Sequence, residues 1–303
     1  MPRLLFEIGC EELPASTCRA ALVQLPDLCK RHLDVTPTEV LVGPRRLALT
    51  AELPLEVRSQ RVDGPPEHIA FDDAGRPTKA GDGFARKVGV PVQELDVVGG
   101  VLTFSPDPVS GASFAEERLG ALVADFFVAK PMVWDRTRFP FSRPIRWLCA
   151  KLGKETLHVE IAGVRSGSAS FGHRFAYGSI DIPAAELYAD TLRAAGVEPS
   201  AEARRSAIVA GLDALGGWTD PAGVLEEVVH LVESVRVLEG SGDPKYLELP
   251  ERVIVSAMQA HQRYFPLGGV RFAFVANGGD DAVVAAGNEQ VLEGRLEDAS
   301  FTY

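Results

Sequence analysis

Apolar runs and amphipathic stretches follow one another in the N-terminal part of the chain. Residues 4–8 form a compact apolar run that predicts a strand. Residues 14–33 carry apolar side chains at helical spacing, and Pro26 is expected to kink or divide that helix. Residues 39–54 predict two β segments, because a Gly-Pro dipeptide inside them is a turn signal. The pattern therefore begins with a strand, a helix and a hairpin.

Shorter elements follow in the middle of the chain. Residues 64–78 are rich in Gly, Pro and Asp and predict a loop, and residues 79–88 predict a short helix. Residues 101–104 predict a strand, and residues 113–130 have the apolar spacing of an amphipathic helix. Residues 145–152 fit either a helix or an extended segment. Strands and helices thus alternate without an internal repeat.

Helical periodicity becomes more frequent towards the C-terminal end. Residues 184–195 predict a helix closed by Gly196. Residues 200–215 and 221–238 have helical spacing as well, whereas the run VIVSAMQAHQRYFP at 253–266 opens with a strand-like apolar stretch. Further strands are predicted at residues 157–161 and 179–183 and near residue 271, and residues 164–175 are expected to end in the polar turn GHRF.

These elements predict an α+β fold with mixed or antiparallel sheets covered by helices, in several subdomains, with a more helical region at about 184–240. With 303 residues and 46% hydrophobic content, the chain can bury a sizeable core. We predict three regions. Residues 1–129 form an α+β region, residues 130–183 a basic, strand-rich segment, and residues 184–303 a helical and then α+β region.

Composition points to a reducing compartment. The four cysteines contain no CxxC pair, so neither a disulfide framework nor a structural zinc site is indicated. Glutamates interrupt the early apolar run long before it reaches a secretory or membrane-spanning length. We therefore expect a cytoplasmic protein without a membrane partner.

Charge is distributed unevenly. The formal net charge of -11 argues against a polyanionic partner, because a uniformly acidic surface repels phosphates. Asp and Glu outnumber Lys and Arg by 19 to 13 in residues 1–129 and by 20 to 9 in residues 181–303, but residues 130–178 have 3 against 9. The middle of the chain is therefore the region with an excess of positive charge.

A basic and aromatic segment, KPMVWDRTRFPFSRPIRW, spans residues 130–147. It could offer phosphate contacts and stacking faces together. Alternatively, it is a strand and turn whose aromatic side chains enter the core while its arginines pair with acidic neighbours. The alternating residues are Arg136, Arg138, Arg143 and Arg146 with Trp134, Phe139, Phe141 and Trp147.

Two polar clusters carry candidate chemistry. His261, Gln262 and Arg263 follow the apolar run at 253–260, and they serve either a partner contact or an internal hydrogen-bond network at a strand-to-helix junction. His173 and Arg174 lie in a turn that could present them to a ligand or that they could stabilise.

Common catalytic motifs are absent from the sequence. It contains no GxxxxGK[ST] phosphate loop, no GxGxxG after a strand, no GxSxG elbow and no HExxH. No adjacent pair of its histidines has the i, i+4 spacing of a metal site on a helix. His230 lies among glutamates in a helical run, where a histidine on a helix face is the simpler interpretation. The sequence therefore indicates neither a catalytic centre nor a metal site.

Eight segments in a fixed order carry a family resemblance. They are LLFEIGCEELP at 4–14, GPRRLAL at 43–49, GPP at 64–66 with the loop to 86, FSRPIRWL at 141–148, GVRSGSASFGHRF at 163–175, VIVSAMQAHQRYFP at 253–266, FVAN at 274–277 and AGNEQVLEGRLEDASF at 286–301. Together they resemble the β subunit of bacterial glycyl-tRNA synthetase over nearly the whole chain. One departure is LVESVRVLEG at 231–240, where the family usually has an aromatic residue and a proline soon after the glutamate.

The resemblance implies a division of labour between subunits. In this family a separate α subunit carries the class II catalytic core that activates glycine with ATP and Mg²⁺, and the β subunit binds tRNA(Gly) and is needed for charging. We therefore expect no catalytic residue, cofactor or metal in this chain, and an α2β2 complex for the full-length subunits. The resemblance also implies a subdomain similar to the B3/B4 module of phenylalanyl-tRNA synthetase. The HD-type and anticodon-binding domains of the family are expected after residue 303, so the chain is expected to be the N-terminal part of the subunit.

Eight residues on the family-like motifs are our candidates for contact with tRNA or with the α subunit, and the resemblance does not say which partner each one meets. They are Arg45, Arg46, Arg143, Arg146, His173, Arg174, Gln262 and Arg263.

Two other classes of function stay open. The acidic C-terminal half favours a protein–protein assembly module that makes no direct RNA contact. A small-molecule hydrolase would use His173 or His261 as a base, but no nucleophile lies in a recognisable motif.

Overall fold

The computed structural model of the protein describes residues 1–58 and 61–303. They pack as two units, of which the larger comprises residues 1–53 and 115–303 and the smaller residues 54–114. The region boundaries predicted at 129–130 and 183–184 were drawn from the distribution of charge along the sequence and do not describe packing units. They stay predictions. In the part of the chain that the structure describes, each helix is too short or too polar to cross a bilayer.

The α-helices are α1 (Ala15–Leu33), α2 (Glu67–Ala70), α3 (Lys79–Val88), α4 (Gly111–Ala124), α5 (Tyr188–Ala194), α6 (Ala201–Leu215), α7 (Leu225–Val228), α8 (Glu251–Gln259) and α9 (Asp281–Thr302). The longer strands are β1 (Arg3–Cys10), β2 (Pro37–Gly43), β3 (Arg46–Glu52), β5 (Val62–Pro66), β7 (Val101–Phe104), β11 (Ile145–Leu152), β14 (Val164–Gly167), β17 (Arg236–Ser241), β18 (Phe265–Gly268) and β19 (Arg271–Ala276). The shorter strands are β4 (Glu56–Val57), β6 (Asp96–Val98), β8 (Val109–Ser110), β9 (Met132–Val133), β10 (Pro140–Phe141), β12 (Glu155–Thr156), β13 (Glu160–Ile161), β15 (Ala169–Phe171) and β16 (Ser179–Asp181).

The main sheet of the larger unit has the order β13-β14-β11-β1-β3-β2, with β12 paired to β11. β1 runs antiparallel to both of its neighbours, so Ile8 lies opposite Leu148 on one side and Leu47 on the other. β11 and β14 are parallel. Seven of the eight residues of β1 are buried, as expected for an inner strand covered on both faces. The sheet is therefore mixed, and residues 145–152 take the extended alternative.

Helix α1 packs along β2 and β3 and contains Pro26 in its interior. The prediction that Pro26 could divide this helix is wrong, because residues 15–33 form one helix. Its buried stripe recurs at three- and four-residue intervals and includes Cys18, Ala21, Leu25 and Leu28. Burial of that stripe against the sheet stabilises the helix, although Pro26 removes one backbone donor from it.

A second sheet, with the order β17-β19-β18, lies between two groups of helices. Phe272 and Phe274 of β19 pack with α8 and α9, whereas Ala273 packs with Ile208 and Leu212 of α6. Successive side chains of a strand point to opposite faces of the sheet, and here helices cover both faces. For this reason β19 is apolar at almost every position. The predicted strand near residue 271 is confirmed.

Two predictions in this region are wrong. The helix predicted over 221–238 is reduced to α7, because residues 236–241 pair with β19 as strand β17. The strand-like opening at residue 253 is helix α8, whose buried Ile254 and Met258 have i, i+4 spacing. In both segments long-range packing outweighs the local preference.

The smaller unit has a compact core of its own. Its sheet has the order β5-β7-β6, and Ala70, Phe84 and Leu102 form the buried cluster beneath it. Helix α3 begins as predicted, because the Thr78 hydroxyl accepts hydrogen bonds from the backbone N–H groups of Ala80 and Gly81. The loop predicted over 64–78 is only partly confirmed, since it contains the end of β5 and the short helix α2. The chain as a whole has the predicted α+β fold.

Helix α4 is shorter than predicted, because it ends at Ala124 and not near residue 130. Helix α6 matches its prediction closely, since Ser200 caps it through a hydrogen bond from the backbone N–H of Ala203.

Candidate functional site

Glu233 lies in the segment between α7 and β17. It accepts hydrogen bonds from three of the arginines that the sequence analysis named as candidates for partner contact. Its side chain is only 1% exposed. Arg46 donates from Nη2 to Glu233 Oε1 at 2.9 Å, and Arg45 donates from Nη1 to Glu233 Oε2 at 3.2 Å. The backbone N–H of Arg174 donates to the same Oε2 atom at 3.1 Å. One buried carboxylate therefore joins the β2–β3 turn to the turn at residues 172–175.

Arg46 also reaches Glu7 in the centre of the main sheet. Its Nη1 atom lies 3.2 Å from Glu7 Oε1, and its Nη2 atom donates to the carbonyl of Phe171 at 2.8 Å. Ser170 Oγ donates to Glu7 Oε1 at 2.9 Å. We call Glu7, Arg45, Arg46 and Glu233 the buried ion-pair cluster. Its two guanidinium groups balance its two carboxylates.

The pKa values within the buried ion-pair cluster follow from burial and from neighbouring charge. Burial raises the pKa of the Glu7 carboxyl, and the nearby Arg46 guanidinium offsets only part of this effect. Burial lowers the pKa of Arg46, but the charge of Glu7 and the other acidic neighbours outweighs it, so the net pKa is raised. Arg46 therefore stays charged and needs its carboxylates.

Trp147 supports the two arginines from the side. The guanidinium carbons of Arg45 and Arg46 lie 5.5 Å and 5.8 Å from the Trp147 ring centroid, within the range of a cation–π contact. Gly9 leaves the space that this ring occupies, because a Cβ atom at Gly9 would come within 1.8 Å of Trp147 Cε2. A glycine in the central strand thus permits the aromatic support.

His173 joins the same structure through Asn277. Its Nε2 atom lies 3.0 Å from Asn277 Oδ1, which also accepts the backbone N–H of Glu233 at 2.9 Å. The backbone N–H of Phe175 donates to His173 Nδ1 at 3.4 Å. Because Nδ1 accepts and Nε2 donates, the neutral imidazole satisfies both contacts. This favours the turn-stabilising interpretation of His173.

Three arginines surround the Glu11–Glu12 turn at the end of β1; Arg146 and Arg174 are exposed and Arg143 is half-buried. Arg143 donates from Nε to the carbonyl of Glu12 at 3.0 Å, and Arg146 Nε lies 3.3 Å from Glu11 Oε1. The Arg174 guanidinium pairs with the Glu12 carboxylate. Exposed pairs of this kind contribute little to stability, so these side chains can exchange partners at small cost. The structure thus separates buried from surface candidates.

A basic hairpin, which we define as residues 130–143 with β9 and β10, lies beside these arginines. Trp134 donates from Nε1 to the carbonyl of Phe141 at 3.0 Å, and Phe141 is buried. Arg136 and Arg138 are exposed, and they form no ion pair with any residue in the ranges 1–58 and 61–303. The interpretation in which aromatic side chains of this segment enter the core is confirmed for Phe141 and Trp147. The interpretation with phosphate contacts and stacking faces stays a prediction.

The two remaining candidates lie elsewhere, at the junction between α8 and β18. Arg263 Nη2 lies 2.9 Å from Glu227, and its Nη1 donates to the carbonyl of His261 at 2.8 Å. Tyr264 stacks on Phe272 with ring centroids 4.5 Å apart. The junction runs from helix to strand and not from strand to helix as predicted. Gln262 is half-buried there.

Arg204 is a structural residue that sequence reasoning missed. Its side chain, only 1% exposed, donates to the carbonyls of Val229 at 2.9 Å, Glu198 at 2.6 Å and Val42 at 2.6 Å. Burial lowers its pKa to about 10. The signal that could have found it is the helical stripe of α6, because Arg204 precedes the buried Ile208 by four positions.

The structure gives no support to nucleophilic chemistry by a thiol. All four cysteines are buried and free, and burial raises the pKa of Cys18 to about 12 and that of Cys29 to about 11. The pKa values of Cys10 and Cys149 are raised by the same cause. Among residues 1–58 and 61–303, no three His, Cys, Asp or Glu side chains are grouped as metal ligands.

Because the thiolate is the reactive form, we expect the native chain to resist iodoacetamide at about pH 8 over about one hour. After unfolding in guanidinium chloride, mass spectrometry should show alkylation of all four cysteines. Rapid modification of any cysteine in the native chain would contradict the burial described above.

Known proteins with similar sequences were found over the whole chain. Residues 4–303 match the family model described as "Glycyl-tRNA synthetase beta subunit". The chain is 38% identical to the "Glycine--tRNA ligase beta subunit" of Moorella thermoacetica, over 99% of this chain and 47% of that protein. It is 33% identical to the protein of the same name from Bacillus subtilis, over 99% of this chain and 48% of that protein. The chain thus spans about half the length of these relatives.

Proposed function

Because the chain belongs to the glycyl-tRNA synthetase β-subunit family, we propose that it contributes tRNA binding and α-subunit binding to a glycine–tRNA ligase and performs no chemistry itself. ATP and Mg²⁺ would be bound by the α subunit, and tRNA(Gly) would be the nucleic-acid partner. An α2β2 complex in the cytoplasm is the corresponding proposal for the full-length subunits.

The basic hairpin is the observation that carries the proposal for RNA. Arg136 and Arg138 are exposed without an ion pair among the described residues, and the partly exposed Trp134 lies two positions before Arg136 and four before Arg138. Phosphates attract such arginines, and an aromatic face can stack on a base. Elsewhere the acidic surface repels a polyanion, so the RNA would be confined to this side.

The surface arginines beside the hairpin extend the proposed contact. Arg146 and Arg174 each pair with one glutamate near the end of β1, and Arg143 donates to the backbone carbonyls of Glu12 and Ser142. Arg45 and Arg46 would act indirectly, because the buried ion-pair cluster holds the turn that carries Arg174. Contacts by Gln262 and Arg263 remain a separate proposal at the α8–β18 junction.

Replacing Arg136 and Arg138 with Ala is expected to weaken tRNA(Gly) binding by about tenfold at low salt and to reduce the slope of log K against log[salt] by about 2. The reason is that each lost phosphate contact releases about one counterion fewer. Filter binding at several salt concentrations measures both quantities. The pair Arg143→Ala and Arg146→Ala should act in the same direction.

A matched control is Arg193→Ala with Arg205→Ala, which removes the same charge from two arginines that pair with carboxylates in the acidic region. Its salt slope should equal that of the unmodified chain. An unchanged slope in both hairpin-side variants would refute the RNA contact. Binding of the α subunit without any RNA binding would favour the assembly-module alternative.

A further inference from the structure

An apolar groove lies between the start of α1 and the basic hairpin. It has a volume of about 550 Å³, and its lining includes Pro14, Ala20, Phe127, Pro131 and Met132. We call it the Phe127 groove. It belongs entirely to the larger unit. We propose that the Phe127 groove docks a segment of the α subunit that presents apolar side chains flanked by carboxylates, an inference that rests on the proposed function.

The side chain of Phe127 is exposed on a fixed backbone. Gln24 donates from Nε2 to the carbonyl of Phe127 at 3.1 Å, and the backbone N–H of Phe127 donates to Gln24 Oε1 at 2.8 Å. The two bonds hold residue 127 against α1, yet its aromatic side chain is 70% exposed. A large apolar group presented in this way is typical of a binding surface, because its ordering has already been achieved before a partner arrives.

The opposite wall of the groove is held by the basic hairpin. Met132 pairs with Phe141 and Val133 with Pro140 between β9 and β10. Met132 and Val133 are nevertheless each 51% exposed. Met is flexible and polarizable, so it adapts well to the surface of a protein partner. Exposed apolar residues therefore stand on both sides of the groove.

The floor of the groove needs no polar partner. Thr17 Oγ1 and Ser142 Oγ, both buried, lie 3.0 Å apart, so one hydroxyl donates a hydrogen bond to the other. An apolar side chain can therefore cover this floor without stripping a polar group of its hydrogen bond. The floor thus favours a protein side chain over a nucleotide, whose polar edges would find no partners there.

Charge at the rim indicates the chemistry of the partner. Lys130 and Arg143 line the groove, and its described lining contains no Asp or Glu. An approaching segment with carboxylates beside its apolar side chains would match both features. The family name specifies a β subunit and thereby implies an α subunit, which we take as the protein partner for this groove.

The test replaces two exposed residues with carboxylates, as Phe127→Asp with Met132→Asp. Because the change replaces two apolar side chains of the proposed contact with charges, the dissociation constant for the purified α subunit should rise at least about tenfold. Biolayer interferometry measures it. Leu187→Asp with Val283→Asp is the matched control, since both residues are exposed and apolar, and it should bind α as the unmodified chain does.

Thermal unfolding followed by circular dichroism checks that the groove variant folds. If it does not, Phe127→Ser alone retains the test, because that side chain is largely exposed. An unchanged α affinity in a folded groove variant would overturn the proposal. So would a dimer of the chain that dissociates in the variant, since the occupant would then be a second copy. If the unmodified chain binds α and the folded groove variant binds it equally well, only the groove proposal fails; if the unmodified chain does not bind α, the α-binding part of the proposed function fails with it.

Discussion

Replacing Glu233 with Ala is expected to lower the free energy of unfolding by about 3–5 kcal/mol, because removal of one partner leaves buried charge uncompensated. Arg46 would keep only Glu7 as a carboxylate partner, and Arg45 would lose its ion pair. The backbone N–H of Arg174 would also lose its acceptor. Equilibrium unfolding in urea, followed by circular dichroism, measures the change.

Two further variants separate the causes. Glu233→Gln keeps an amide oxygen for one hydrogen bond but removes the charge, so it should cost less than Glu233→Ala. Glu160→Ala removes an exposed carboxylate that pairs with Arg165, and it should change stability by less than about 1 kcal/mol. A loss in Glu233→Ala as small as that in Glu160→Ala would show that the buried ion-pair cluster does not hold the fold.

Replacing Arg204 with Met is expected to cost about 3–5 kcal/mol as well, because each buried carbonyl left without a donor costs about 1–3 kcal/mol and relaxation recovers part of the sum. Met keeps much of the apolar length of the side chain, so the loss reports mainly on the hydrogen bonds to Val42, Glu198 and Val229. The same unfolding experiment measures it.

The adjacent residue provides the control. Arg205 lies on the same helix, is partly exposed and pairs with Glu226, so Arg205→Met should change stability by less than about 1 kcal/mol. Equal effects of the two substitutions would contradict the role assigned to Arg204, because they would then reflect the loss of any arginine from α6.

Turn dipeptides and helix-capping residues in the sequence correctly predicted the elements whose ends they define. The hairpin of β2 and β3 follows from a Gly-Pro turn between apolar runs, and α3 and α6 begin at Thr78 and Ser200, whose hydroxyls cap them. The prediction of secondary structure failed where pairing with a strand distant in sequence determines the conformation. The helical spacing predicted over residues 221–238 does not persist at its end, because residues 236–241 are extended and pair with residues 271–276.

The candidate site shows the same limit. The family-like motifs pointed to Arg45, Arg46, His173 and Arg174, and the structure brings all four to one place. Glu233, the shared acceptor of Arg45, Arg46 and Arg174, lies 187 positions from Arg46, and nothing in its local sequence marks it as buried. Burial also could not be predicted for each arginine, although it decides whether the side chain supports the fold or faces a partner.

The structure thus sorts the predicted arginines by environment. Arg46 is enclosed by protein partners, whereas Arg143, Arg146 and Arg174 lie at the surface near a hairpin with two further exposed arginines. We propose that Arg46 stabilises the fold and that the surface arginines bind a partner. Neither assignment requires a catalytic group in this chain.

The central claim, that this chain acts by binding tRNA and not by chemistry, is tested most directly by titrating the purified chain with tRNA(Gly) in the absence of the α subunit at about 50 mM and 200 mM salt. We expect the chain to bind tRNA(Gly) at the lower salt and much more weakly at the higher salt. We expect no glycylation when ATP, Mg²⁺ and glycine are added. Absence of binding at the lower salt, or glycylation by the chain alone, would contradict it.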